Sequence, residues 1–188
     1  LRKNTITLPA MNVKTFTDKK NIIKSKENAF ELEMDVTPAS MATTGIELYN
    51  AKGEKVNIYF DMKERKLVMD RTESGLIEFG KLAVPHDIEK NYTDIHQGVG
   101  NTPFRVFNSI NYKNDFALGT WAPLSLCEGK TYHVDIFVDK CSVEIFVDGG
   151  RIAMTNLVFP TTPYTSVKFY NKGASSSFRN IKISELSL

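Results

Sequence analysis

Four carboxylates, Asp135, Asp139, Glu144 and Asp148, fall within one short stretch of the chain. Two carboxyl groups held roughly 5–9.5 Å apart can cleave a glycosidic bond, one as acid and the other as nucleophile or base. Here they alternate with Val134, Ile136, Val138, Val143, Ile145 and Val147. That alternation accounts for them as the wet face of a hairpin. Without a concave site they would repel one another. Nucleophilic catalysis by serine needs a base and an orienting acid. The three histidines are His86, His96 and His133, and no Gly-x-Ser-x-Gly elbow accompanies them. His133 sits on the polar side of an alternating run and reads as a surface residue. The other two read as loop residues.

Gly98-Val99-Gly100 lacks the third glycine and the Gly-Lys-Ser/Thr ending of a phosphate loop, and it does not open a helix. Cys127 and Cys141 form neither a Cys-x-x-Cys pair nor a Cys/His cluster. They read as half-buried free thiols, so neither zinc nor any other cofactor is expected. Sugar binding needs flat rings that cover C–H surfaces, with amides and carboxylates for the hydroxyls. Trp121, the single tryptophan, follows an Asn-rich stretch that carries Asn111, Phe107 and Tyr112. Trp121, Tyr112, Asn111 and Phe107 are the candidate carbohydrate-binding residues. The competing reading is that such rings cap the end of the core.

Positioning these residues falls to strands. Phe30, Leu32, Met34 and Val36 alternate with Glu31, Glu33 and Asp35. Ile46 and Leu48 begin the next strand, and Asn50-Ala51-Lys52-Gly53 reads as a turn. Val56, Ile58 and Phe60 follow, then Leu67-Val68-Met69 after a polar connection over 61–65. The period of two returns at Val134–Val138 and Val143–Val147, and Gly149-Gly150 turns the chain again. Further strands are expected from Ile152 to about Phe159, at Val167 and Phe169, and at Ile181 and Ile183. One short strand is expected around Phe104-Arg105-Val106-Phe107, inside a long excursion over 86–120. No amphipathic helix of ten residues is found. The expected fold is all-β, a two-sheet antiparallel β-sandwich of jelly-roll, concanavalin- or galectin-like type, with roughly 11 to 13 strands.

The chain has 188 residues, 41% hydrophobic and 24% charged, which suits one globular domain. No apolar run approaches the roughly 18–20 residues of a membrane span. Lys plus Arg total 24 and Asp plus Glu total 22, so the net charge of +2 does not call for nucleic acid. The charge is uneven. Residues 1–26 hold seven basic side chains and Asp18, a net +6, and the remainder is 17 minus 21, or −4. This arm reads as solvated or as a connecting strand, with an anion-binding tail as the alternative. The first residue is Leu1, and the opening has no apolar signal region, so a fragment of a longer protein is expected.

The run from Ile136 to Gly150, Ile-Phe-Val-Asp-Lys-Cys-Ser-Val-Glu-Ile-Phe-Val-Asp-Gly-Gly, resembles the "IFVDxSSVEVFVNDG" hairpin of glycoside hydrolase family 32. Met154-Thr155 through Val158-Phe159-Pro160 is similar to that family's "LT…IFP". Gly45-Ile46-Glu47-Leu48 is similar to "GIxL", Asp70-Arg71-Thr72-Glu73-Ser74-Gly75 to "DRSxSG", and Ala122-Pro123-Leu124 to "APL". The resemblance runs collinearly from about Phe30 to Leu186. Asp139, Ser142, Val143, Glu144, Phe146 and Gly150 are its structural signature residues. Three departures stand out: Cys141 for the usual serine, Asp148-Gly149-Gly150 for Asn-Asp-Gly, and a stretch over 79–116 longer than is typical.

The resemblance implies the C-terminal β-sandwich of an enzyme related to invertases, inulinases and levanases. Catalysis in that family rests on an N-terminal five-bladed β-propeller, with an Asp in Asn-Asp-Pro-Asn-Gly, an Asp in Arg-Asp-Pro and a Glu in Glu-Cys. None of these occurs here: Asn114-Asp115 precedes Phe116, and Cys127-Glu128 has the reversed order. No catalytic residue is therefore carried over. The chain alone is expected to be inactive, whereas the parent would hydrolyse β-fructosidic bonds. Residues 1–26 would be the connecting arm from the propeller and residues 27–188 the sandwich. The implied partners are that propeller, a fructan and a second copy in a homodimer, with no nucleic acid or membrane. The family implies a secreted, periplasmic or cell-surface location.

Overall fold

The computed structural model describes residues 1–77, 116–124 and 130–187. Among them are thirteen strands: β1 (Arg2–Leu8), β2 (Met11–Val13), β3 (Phe16–Lys19), β4 (Phe30–Thr37), β5 (Thr43–Tyr49), β6 (Lys55–Asp61), β7 (Lys66–Glu73), β8 (Gly119–Pro123), β9 (Tyr132–Asp139), β10 (Ser142–Val147), β11 (Ile152–Leu157), β12 (Ser166–Lys172) and β13 (Ser176–Leu186). Seven form one sheet, in the order β1-β13-β4-β9-β10-β11 with β2 also paired to β13. Six form the other, in the order β3-β12-β5-β6-β7-β8. Every pairing is antiparallel. The expected two-sheet sandwich is the observed fold.

The core follows from the period-two pattern. A strand puts successive side chains on opposite faces, so one apolar set per strand can be buried against the other sheet. Phe30, Leu32, Met34 and Val36 of β4 are buried, as are Val134, Ile136 and Val138 of β9 and Val143, Ile145 and Val147 of β10. Across the gap lie Ile46 and Leu48 of β5, Val56, Ile58 and Phe60 of β6, Leu67 and Met69 of β7, and Val167 and Phe169 of β12. Two aromatic pairs join the layers. Phe60 stacks on Tyr132 with ring centroids 4.9 Å apart, and Phe169 meets Phe178 edge-on at 5.3 Å.

Residues 1–26 are built into both sheets. β1 and β2 pair with β13 in the larger sheet, and β3 pairs with β12 in the smaller one. Val13 and Ile23 are buried in the core, and Ile6, Leu8, Met11 and Ile22 pack against it. The seven interspersed cations hide this apolar set from a reading by composition. A second difference is Trp121, which lies on β8, the edge strand of the smaller sheet, where the sequence indicated no strand. The expected strand at 104–107 lies outside the described residues.

Phe169 is fully buried on an inner face. Phe169→Ala should cost about 3–5 kcal/mol of unfolding free energy, the range for large aromatic truncations in cores. Leu157 is half exposed, and Leu157→Ala should stay within about 0.5 kcal/mol of the parent. Urea denaturation of the three proteins checks both expectations.

Candidate functional site

The signature hairpin is β9–β10, paired in register from Ser142 opposite Asp139 to Val147 opposite Val134. Its far end turns through Asp148, Gly149 and Gly150, with φ of 50°, 66° and 93°. Three successive left-handed residues need side chains that tolerate that region, which is where glycine serves. Asp148 locks the turn. Its carboxylate accepts hydrogen bonds from the Lys130 ammonium at 2.6 Å and from the His133 backbone N–H at 3.1 Å. Burial pushes the Asp148 carboxyl up, but these two donors outweigh it and hold the group below the ordinary range.

The other signature residues have separate places. Val143 is buried, Ser142, Glu144 and Phe146 are half-buried on the outer face, and Asp139 and Gly150 are exposed. Phe146 meets Phe137 edge-on with centroids 5.9 Å apart. Asp139 accepts the Lys140 N–H at 2.7 Å. Cys141 is a free thiol at the β9–β10 turn. It is exposed, not half-buried as expected, because it stands at the tip between the two strands instead of within either.

The outer face of the larger sheet carries a ladder of ion pairs along β4. Arg2 of β1 forks onto both carboxylate oxygens of Glu31, with one contact at 2.6 Å. Glu31 is only 2% exposed, so Arg2 supplies the counter-charge for a buried carboxylate. Lys182 pairs with Glu33 at 3.0 Å. His133 Nδ1 lies 2.7 Å from Asp35, and its Nε2 lies 3.4 Å from Asp135. Asn180 donates to the other Asp35 oxygen at 2.6 Å. Burial pushes the Asp35 carboxyl up, and the His133 and Asn180 hydrogen bonds bring it below its usual range. The Asp35 hydrogen bond raises the His133 imidazole, against an opposing effect of burial. Asp135 is raised, chiefly by burial. Among the described residues, no group of three His, Cys, Asp or Glu side chains could hold a metal ion.

The segment similar to "DRSxSG" ties the two sheets together beside β8. Asp70 accepts the Thr72 N–H at 2.9 Å, and Arg71 reaches across to donate to the Leu157 carbonyl at 2.9 Å. The guanidinium carbon lies 4.2 Å from the Phe116 ring centroid. Burial pulls the Arg71 pKa down. The Tyr164 hydroxyl donates to the Ser74 carbonyl at 2.8 Å. Asn156 Nδ2 donates to Thr120 Oγ1 at 2.6 Å, joining β11 to β8.

Of the four candidate sugar-binding residues, Trp121 is described and Tyr112, Asn111 and Phe107 lie outside the described residues. So do His86, His96, Cys127 and the Gly98-Val99-Gly100 loop. Trp121 is 57% exposed, and the Lys66 ammonium lies 4.6 Å from its ring centroid. It does not stand alone. The register Phe16–Tyr170–Gly45–Tyr59–Val68–Trp121 forms one row across all six strands of the smaller sheet, on its outer face. A Cβ on Gly45 would stand 2.6 Å from that of Tyr59. Its absence lets Tyr59 and Tyr170 lean together over the strand, with centroids 6.5 Å apart. Sequence reasoning missed Tyr59, Tyr170 and Phe16. The available signal was tyrosine at solvent-side positions of two strands flanking a glycine.

These sheets and this hairpin define an all-β sandwich domain with a stapled edge. A family model described as "Glycosyl hydrolases family 32 C terminal" matches residues 1–185, and the chain belongs to that family as its C-terminal domain. It is 28% identical over 156 residues to the levanbiose-producing levanase of Bacillus subtilis (strain 168), covering 83% of this chain and 24% of that protein. It is 23% identical over 174 residues to a levanase of Bacillus sp. (strain L7), covering 90% of this chain and 15% of that one. The chain thus spans less than a quarter of the length of these curated relatives. The crystal structure of A. japonicus CB05 superposes with a TM-score of 0.71 over 99% of this chain and 27% of that one, at 16% identity. The sucrose-6-phosphate hydrolase of Lactobacillus gasseri gives 0.56 over 100% of this chain and 29% of that one, at 20% identity. At these identities the superpositions speak for a shared fold.

The His133–Asp35 pair makes a pH prediction. A raised imidazole means that the folded state favours the charged form. Its stabilisation is fully present below the ordinary histidine value of about 6.5 and is lost as the pH rises through the folded value. The melting temperature should therefore fall as the pH is raised from 6 towards 9. His133→Gln should flatten that slope. Thermal melts of both proteins across this range check it.

Proposed function

We propose that this sandwich is a non-catalytic accessory domain of an enzyme that hydrolyses β-fructosidic bonds in fructans or sucrose. One observation carries the reading: the family match fills the chain, while the chain accounts for under a quarter of the levanases that it resembles. The remaining length of such a protein has room for a β-propeller that holds the reactive carboxylates. In this reading, hydrolysis proceeds there with retention through a covalent fructosyl intermediate. The sandwich shields one side of the propeller, holds its geometry and contributes to the rim of the substrate cleft or to a dimer contact. The arm over residues 1–26 leads from the propeller while closing the sandwich edge. Export to the periplasm, the cell surface or the medium fits a polymer-degrading enzyme.

The local chemistry supports this division of labour. Asp148 is held by Lys130 and the turn, and Asp139 is used within the hairpin tip. The concavity between the arm and β13, lined by Ile6, Ile22, Ile23 and Ile183, is about 140 Å³. That is smaller than the roughly 300–1,000 Å³ of small-molecule sites, and its lining is mostly apolar.

The purified chain should release no fructose from levan, inulin or sucrose, as read by a reducing-sugar assay. Measurable turnover by this chain would refute the accessory role. The matching propeller should melt at a lower temperature alone than when joined to the sandwich. Equal melting temperatures would count against stabilisation.

A further inference from the structure

The solvent face of the smaller sheet is built unlike that of the larger one. The larger sheet presents ion pairs in its centre. The smaller sheet presents the ring row Phe16–Tyr170–Gly45–Tyr59–Val68–Trp121, bordered on both sides by polar rows. One border is Lys168, Glu47, Asn57 and Asp70, aligned across β12, β5, β6 and β7. The other includes Asp61 opposite Lys66. We infer that this row is a binding platform for a neutral polyol chain, with rings under the C–H faces of the sugar and the border residues at its hydroxyls. This inference rests on the fructan reading above for the identity of the chain, which it takes as fructan.

Three observations favour that occupant. First, the Tyr59 ring keeps a free polar tip, whereas the Tyr170 hydroxyl is partly buried. Tyr49, on the same face, donates its hydroxyl to Asp18 at 2.6 Å. Among the described residues, the hydroxyls of Tyr59 and Tyr170 have no such bond. Tyrosine and tryptophan with one apolar body and one unspent donor suit a ligand that is itself amphipathic. Second, the charges balance. Lys55, Lys66, Lys168 and Lys172 stand among Asp18, Glu47, Asp61, Asp70 and Glu73, four cations against five carboxylates. Lys168 is spent on Glu47 at 2.9 Å. A face without one dominant sign does not attract a polyanion or an anionic membrane. Third, the apolar strip is one side chain wide. A stable protein interface covers about 800 Å² per partner with an apolar centre, and here it would have to desolvate both charged borders. A single polymer strand along the row covers the rings and leaves the borders wet.

The test is affinity electrophoresis of the chain in native gels containing levan, inulin or dextran, with titration calorimetry on a short levan oligomer. The parent should be retarded by a fructan and not by dextran. Tyr59→Ala with Trp121→Ala should weaken binding by about tenfold or more, since each ring contributes a contact worth a few-fold in affinity. Tyr59→Phe keeps the ring and the fold and should lose only a few-fold, which separates the hydroxyl from the stacking surface. Circular dichroism melts establish that each variant is folded. If the double variant is unfolded, Trp121→Ala alone carries the test, because that side chain is exposed on the edge strand β8, and unchanged affinity in this folded variant would overturn the platform. Absence of retardation by either fructan, or retardation that survives loss of both rings in a folded protein, would also overturn it. Equal retardation by dextran would overturn the fructan assignment. These results are separable from the accessory role, because propeller stabilisation and fructose release are read independently of gel retardation.

Discussion

Burial of one apolar face per strand between two sheets is the constraint on which the rest of the molecule depends. With the backbone ladders made within each sheet, side-chain packing is what chiefly holds the two layers together, helped by a few hydrogen bonds between β7, β8 and β11 at one edge. The inner faces do this with Val, Ile, Leu and Met interdigitated around two aromatic bridges, Phe60–Tyr132 and Phe169–Phe178. Everything functional then has to lie on the outer faces, at the edges or in the connections.

The edges are managed on both sides. On one, the N-terminal segment covers β13 and β12, so a single run of chain contributes to both sheets. Arg2 is part of that cover. Without it, Glu31 would be a buried carboxylate with no counter-charge, a costly arrangement in a medium of low polarity. On the other side, Arg71, Tyr164 and Asn156 fasten β7, β8 and β11 with hydrogen bonds, two of them to backbone carbonyls. A sandwich closed this way offers few free strand ends for edge-to-edge association.

The family-signature hairpin owes its form to turn geometry and not to reactive chemistry. Its aspartate and two glycines adopt left-handed backbone angles, and the aspartate is pinned by a lysine and a backbone N–H. The segment similar to "DRSxSG" behaves alike, since its aspartate shapes a turn and its arginine reaches the opposite sheet. Sequence motifs of this kind mark places where backbone shape leaves little choice of residue.

Alternation along β4, β6, β9 and β10 was enough to read the strands, their buried sides and the two-sheet class, because a pleated strand maps period two directly onto inside and outside. The turn at Asp148-Gly149-Gly150 was legible for a similarly local reason. The pairing of β1–β3 with strands more than a hundred residues away was not legible, since composition records the lysines and not the partner that accepts Ile6, Met11 and Val13. Neither was the ring row: Phe16, Tyr59, Trp121 and Tyr170 are scattered along the chain, and only cross-strand register, fixed by tertiary packing, sets them side by side.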